Sequence, residues 1–107
     1  MEPLTGWPKD VLNELIEHVS LINSRKSVKK FYIGRTVDVD NRKSDHSCDE
    51  IEAIYSTDSP DNAIVIEDIL IKKFYNYNKC INNANHGGGG VSEEYGSYVY
   101  VAIWLTR

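Results

Sequence analysis

The sequence predicts a small α/β domain in which helices flank a short central three-stranded sheet, mixed or antiparallel. Two observations carry this. Apolar residues recur at helical spacing in two stretches, Val11, Leu12, Leu15, Ile16, Val19 and Ile22, then Ala63, Ile66, Leu70 and Phe74. Three short runs, at 30–34, 51–56 and 98–104, have the length and the β-branched and aromatic content of strands.

Taken in order, Trp7-Pro8 opens the first helix with a proline in its first turn. Asn13, Glu14, Glu17 and Ser20 fall opposite its apolar stripe, and Asn23-Ser24-Arg25-Lys26-Ser27 ends it. Lys30-Phe31-Tyr32-Ile33-Gly34 reads as a strand closed by glycine, with Phe31 and Tyr32 on opposite faces. Asp38 or Asp40 caps a short helix carrying Asn41 to His46. Ile51-Glu52-Ala53-Ile54-Tyr55-Ser56 is the second strand. Ser59-Pro60-Asp61, a cap followed by proline, starts a helix that runs to about Tyr75. Residues 76–94 read as loop, and the last strand closes the chain. The expected organisation is one domain over 1–107, with 1–28 an N-terminal helical extension and 29–107 the core.

The 107 residues are 41% hydrophobic and 26% charged, the balance of a globular protein with a single modest core. No apolar run approaches the roughly 20 residues that cross a bilayer. Met1-Glu2-Pro3-Leu4-Thr5-Gly6 lacks the basic start and apolar stretch of a secretory signal, so the expected location is intracellular, with no membrane partner. Cys48 and Cys80 read as reduced thiols, with a disulfide as the competing reading. A net charge of −4 disfavours a stand-alone nucleic-acid binder. Yet Arg25, Lys26, Lys29, Lys30, Arg35, Arg42 and Lys43 lie within nineteen residues, opposed there only by Asp38 and Asp40. A basic face on an acidic protein still holds phosphate, in a salt-sensitive way.

Glu67 is the sharpest anomaly. It falls inside the apolar stripe of its helix, one turn from Ala63, Leu70 and Ile71. It is either at the stripe's wet edge, or in a buried salt bridge, or a metal ligand, because an unpaired carboxylate facing a core is costly. Arg42 and His46 are one turn apart and face the same way, as an exposed polar pair or as a site. Gly87-Gly88-Gly89-Gly90, approached through Asn82, Asn83, Asn85 and His86, is either a flexible tether or a place of close backbone approach.

In order, these residues resemble the GIY-YIG nuclease family. Phe31-Tyr32-Ile33-Gly34-Arg35-Thr36 is similar to its second signature strand, Tyr-Ile-Gly, followed by a basic and a small hydroxyl residue. Arg42 comes eight residues after Gly34, at the family's arginine, and His46 four further on, where the family carries tyrosine or histidine. Ala63 and Glu67 resemble the start of the family's helix with its metal-binding glutamate. Asn82, fifteen residues after Glu67, suits its asparagine, and Asn83 is the near alternative. The family's first signature, Gly-Ile-Tyr, is absent upstream. Either the region from His18 to Ile22 is a strand that has lost it, or the C-terminal strand occupies its place in a circularly permuted arrangement. In the second case Gly96-Ser97-Tyr98-Val99-Tyr100-Val101 resembles the signature, and Tyr98 lies close to Tyr32.

The resemblance implies a divalent-metal-dependent endonuclease that acts on DNA and leaves a 5′-phosphate and a 3′-hydroxyl. Glu67 would bind Mg²⁺ or Mn²⁺, Tyr32 would be general base, and Arg42 would neutralise phosphate oxygens. His46 would orient or assist Tyr32, Tyr98 would complete the hydrogen-bond network, and Asn82 would order the loop or backbone near the metal. Arg35, Lys29, Lys30 and Lys43 would bind substrate. The sequence has no motif that reads base edges, which leaves promiscuous cutting, a homodimer or a separate targeting partner as the alternatives. The competing readings are a catalytically degenerate module that binds nucleic acid or a protein, and an interaction domain unrelated to nucleic acid.

Overall fold

The structure, a computed structural model, describes residues 2–82 and 98–106. The tetraglycine Gly87 to Gly90, and with it Asn83, Asn85, His86, Gly96 and Ser97, lies outside the described residues. The elements follow in the order α1 (Pro8–Ser24), β1 (Val28–Thr36), α2 (Val39–His46), β2 (Glu50–Ser56), α3 (Pro60–Phe74) and β3 (Tyr98–Leu105). The sheet is antiparallel throughout, in the order β1-β3-β2. Among the described residues no helix is long and apolar enough to cross a membrane.

Local chemistry sets most boundaries. Pro8 and Pro60 occupy first turns, where a missing N–H is harmless. Ser59 caps α3 by accepting the Asn62 N–H, and Asp38, rather than Asp40, caps α2 by accepting that of Asn41. Ser47, in the left-handed region at φ 53°, ends α2. Strand β1 is longer than its apolar run suggests, because pairing with β3 extends from Val28 opposite Leu105 to Thr36 opposite Tyr98.

The core lies between one face of this sheet and the helices α1 and α3. Phe31, Ile33, Ile54, Val99, Val101 and Ile103 meet Leu15, Val19, Ile66 and Leu70, all with no exposed surface. Residues 1–28 are therefore more than an extension, since Val11, Leu15, Val19, Ile22 and Val28 belong to the same core. Residues 18–22 are helical, so the upstream region is not a strand. The C-terminal strand lies between the other two, the most buried place in the sheet.

Both outer strands have part of their free edges covered. On β2, Leu4 donates to Ile54 O and accepts from Ser56 N–H, each at 2.9 Å. On β1, Phe31 N–H donates to Lys79 O at 2.8 Å and Ile81 N–H to Phe31 O at 3.0 Å. Asn82 then continues this pairing with its side chain. Its Nδ2 donates to Ile33 O and its Oδ1 accepts from Ile33 N–H, both at 2.8 Å. One buried carboxamide thus substitutes for a strand residue and satisfies an edge that would otherwise be left open.

Candidate active site

The other face of the sheet is used differently. The pleat turns Lys30 and Tyr32 of β1 and Tyr100 and Trp104 of β3 away from the core. The short helix α2 lies over this face. Its placement follows from Thr36, whose Oγ1 accepts the Asp38 N–H at 3.0 Å and the Arg42 Nε–H at 3.3 Å. Arg42 also reaches Asp45 at 3.5 Å.

His46, in the last turn of α2, stands over the two tyrosines. Its Nε2 is 2.8 Å from the Tyr100 hydroxyl, and its ring is 4.8 Å from that of Tyr32. The Tyr32 and Tyr100 rings are 6.4 Å apart. Gly34 makes this possible. It sits opposite Tyr100 in the register, and a Cβ there would lie 2.5 Å from the Tyr100 hydroxyl oxygen. The glycine is required for the close approach of a ring, not for its backbone angles.

Glu67 enters from α3. It is 7% exposed, and its Oε1 accepts from Arg35 Nε at 3.0 Å. Its Oε2 is buried with no hydrogen-bond partner among the described residues. Of the three readings open to this residue in the sequence, the wet edge is excluded and the salt bridge is present. Burial pushes the Glu67 carboxyl above its ordinary value, against the opposing pull of Arg35. The tyrosine pair feels the same environment. Burial, reinforced by the charge of Glu67, pushes Tyr32 up to about 12, although Arg42 pulls the other way. Burial, then the neighbouring Tyr32, raises Tyr100 as well. Burial and the Arg42 charge hold His46 below its ordinary value, which keeps the ring neutral near pH 7.

The structure therefore brings Tyr32 and His46 together, with Arg42 and the Arg35-bound Glu67 near enough for their charges to act on Tyr32. It ties Asn82 to the backbone of Ile33. It does not bring in Tyr98. That residue pairs with Thr36, four positions along β1 from Tyr32, which is roughly 13 Å of strand. The expectation that Tyr98 lies close to Tyr32 fails, and Tyr100 is the β3 tyrosine whose ring is near it. Lys29 and Lys30 line a cavity beside the cluster with Asp49, Trp104, Leu105 and Thr106. Lys43 is exposed in the last turn of α2. Arg35, expected on substrate, is engaged by Glu67. Sequence reasoning missed Tyr100, Trp104 and the role of Thr36. Alternation along β3 was the available signal, since Tyr98, Tyr100, Ala102 and Trp104 share one face.

Among the described residues no group of three or more His, Cys, Asp or Glu gathers to hold a metal ion. A single buried carboxylate oxygen without a partner nevertheless suits an oxygen-seeking divalent cation that keeps most of its waters. Cys48 and Cys80 are both free. Comparison with protein-family models, with curated proteins and with solved structures finds no match to this chain.

Proposed function

We propose that this chain is a divalent-metal-dependent endonuclease of the GIY-YIG type, hydrolysing DNA phosphodiester bonds to leave 5′-phosphate and 3′-hydroxyl ends. The observation that carries the reading is Glu67: a buried carboxylate with one oxygen on Arg35 and the other unpartnered, near enough for its charge to act on Tyr32 and Tyr100. A structural salt bridge alone leaves that second oxygen without a purpose. The C-terminal strand lies beside β1, which supports a circular permutation in which Tyr98-Val99-Tyr100 stands for Gly-Ile-Tyr, with tyrosine where the signature has glycine. An intracellular location accords with this substrate.

Glu67 would hold Mg²⁺ or Mn²⁺ through its free oxygen. Such an ion supplies Lewis-acid charge, which lowers the proton affinity of a nearby water and tyrosine and offsets the charge of phosphate oxygens. The residues of the chain have the remaining tasks. Tyr32 Oη, once ionised, takes the proton of the attacking water. The water oxygen bonds to phosphorus as the bond from phosphorus to O3′ breaks, and the departing oxyanion is protonated from solvent. Arg42, steadied by Thr36, neutralises a non-bridging oxygen with its guanidinium fork. His46 and Tyr100, bonded to each other, stand together beside Tyr32. Asn82 fixes the Ile33 backbone between Tyr32 and Gly34. Lys43 adds positive charge at the rim, and a second copy of the chain or a separate partner supplies targeting.

One observation favours a second reading, a fold that binds nucleic acid or a protein without cutting. Arg35 already neutralises Glu67, and Tyr32 is held far from ionisation. Plasmid cleavage decides between them. Wild type in Mg²⁺ or Mn²⁺ is expected to nick, EDTA to abolish nicking, and Glu67→Ala to reduce it by at least about 10²-fold while remaining folded. Folded wild type that cuts under neither metal supports the binding module. Cutting unchanged in Glu67→Ala removes the site assignment altogether.

A further inference from the structure

Beyond the tyrosine cluster the same sheet face continues into a cavity of about 530 Å³, lined by Lys29, Lys30, Asp49, Trp104, Leu105 and Thr106. The register sets Lys30 directly opposite Trp104, and Lys30 Nζ lies 4.9 Å from the indole centroid. The indole also meets His46, edge to face at 6.0 Å and 85°. Cavity and cluster therefore share a wall. Asp49, the acid in this lining, is turned to the backbone, its Oδ2 accepting the Leu105 N–H at 2.8 Å.

A flat ring flanked by two lysines has the chemistry to receive a nucleotide. The ring stacks any base, and an ammonium takes the adjoining phosphate. A second hollow, of about 380 Å³ around Thr5, Trp7, Asp58 and Asn62, also carries an indole. Its described lining includes no lysine or arginine and does include Asp58, so it lacks the charge for a phosphate. A base inside a duplex has both faces covered by its neighbours, so an indole platform serves only a base that has left the stack.

We propose that the Lys29, Lys30 and Trp104 cavity binds one unstacked nucleotide next to the phosphate held at the tyrosine cluster, which makes the preferred substrate DNA with a locally unpaired strand. Lys30 covers the indole in the free protein. On binding it exchanges the ring for a strand phosphate, and the base takes the face it leaves. The exchange is favourable because a lysine contact with a solvent-facing ring is weak, whereas phosphate contacts dominate affinity for nucleic acid. This inference rests on the nuclease reading for the cutting, and on the cavity itself for the binding.

Indole fluorescence tests it. The sequence holds Trp7 and Trp104 only, so Trp7→Phe leaves Trp104 as sole reporter. Titration in EDTA with an oligothymidylate of about eight nucleotides is expected to quench it saturably. A blunt duplex of equal length should need at least about tenfold more protein-binding strand for the same quenching, the scale of one base–aromatic stack. Lys30→Ala should weaken single-strand binding by about threefold to tenfold. By anisotropy of a labelled strand, Trp104→Leu should weaken it about tenfold, while Trp104→Phe, which keeps a ring, retains most of it. Equal quenching by duplex and single strand overturns the proposal, as does unchanged affinity in Trp104→Leu. Metal-dependent nicking with a silent Trp104 removes this subsite and leaves the nuclease. Quenching without cleavage in Mg²⁺ or Mn²⁺ removes the nuclease and leaves a single-strand binding site.

Discussion

The two faces of this sheet are built on opposite terms. Toward α1 and α3, Phe31, Ile33, Ile54, Val99, Val101 and Ile103 present only apolar side chains, each fully buried. Toward α2, Tyr32, Tyr100 and Trp104 meet a helix whose eight residues are all partly or fully exposed. The first face is held by apolar area removed from water, which is non-directional and tolerant of detail. The second is held by individual contacts with fixed partners, such as Thr36 to Arg42 and His46 to Tyr100. Most of the packing thus lies on one face and most of the polar cluster on the other, with Glu67 of α3 and its partner Arg35 the exception. Adjacent residues such as Phe31 and Tyr32 serve different ends.

Substitutions on the two faces should divide accordingly. The largest effect is expected for Phe31→Ala, which empties a site packed edge-on against Phe74 and should cost about 3–5 kcal/mol in urea unfolding. Asn82→Ala comes next. It strips partners from both buried polar groups of Ile33 and should cost about 2–3 kcal/mol, with faster hydrogen exchange at that amide. Gly34→Ala places a methyl against the Tyr100 ring and should cost about 1–3 kcal/mol, less when Tyr100 is already Ala. Tyr100→Phe, losing only the contact with His46, should cost about 1 kcal/mol of stability while slowing any cleavage by about tenfold or more. A Tyr100→Phe protein as unstable as Phe31→Ala would break the distinction between the faces.

The smallest effects are in pH dependence, and their signs oppose. His46 is held below 6.5, so its contribution to stability is present above that pH and lost as pH falls through its lowered folded value. Glu67 is held above 4.5, so its contribution is present below that pH and lost as pH rises through its raised folded value. Thermal unfolding of His46→Gln should show a flatter curve on the acid side of 6.5 than wild type, and Glu67→Gln a flatter one above 4.5. If Tyr32 is the general base of the proposed nuclease, cleavage should climb with pH, since Tyr32 is pushed up to about 12 and must lose its proton before it can accept one.

Much of the fold was legible in the sequence because it rests on local rules. Both proline-led helix starts, the Ser59 cap, the apolar stripes and the strand runs follow from spacing that neighbouring residues enforce. The inward turn of Glu67 was legible too, as a polar residue at a core position. What covers a sheet edge was not. Nothing in the chain near Asn82 indicates that its side chain bonds the backbone of a residue forty-nine positions away. The role of α1 was also underread, because a stripe shows that a helix buries a face but not what it buries it against.

The sequence by itself determined the elements, the face that each turns inward, and the chemistry available to Tyr32, Arg42, His46 and Glu67. Only the tertiary structure decided which tyrosine of β3 joins them. Tyr98 and Tyr100 share a face, and alternation cannot separate residues two apart. The register with β1 does so, by setting Gly34 opposite Tyr100 and leaving room there for a ring. Register is a property of paired strands, fixed by the packing of the whole sheet against its helices, so no single strand contains it.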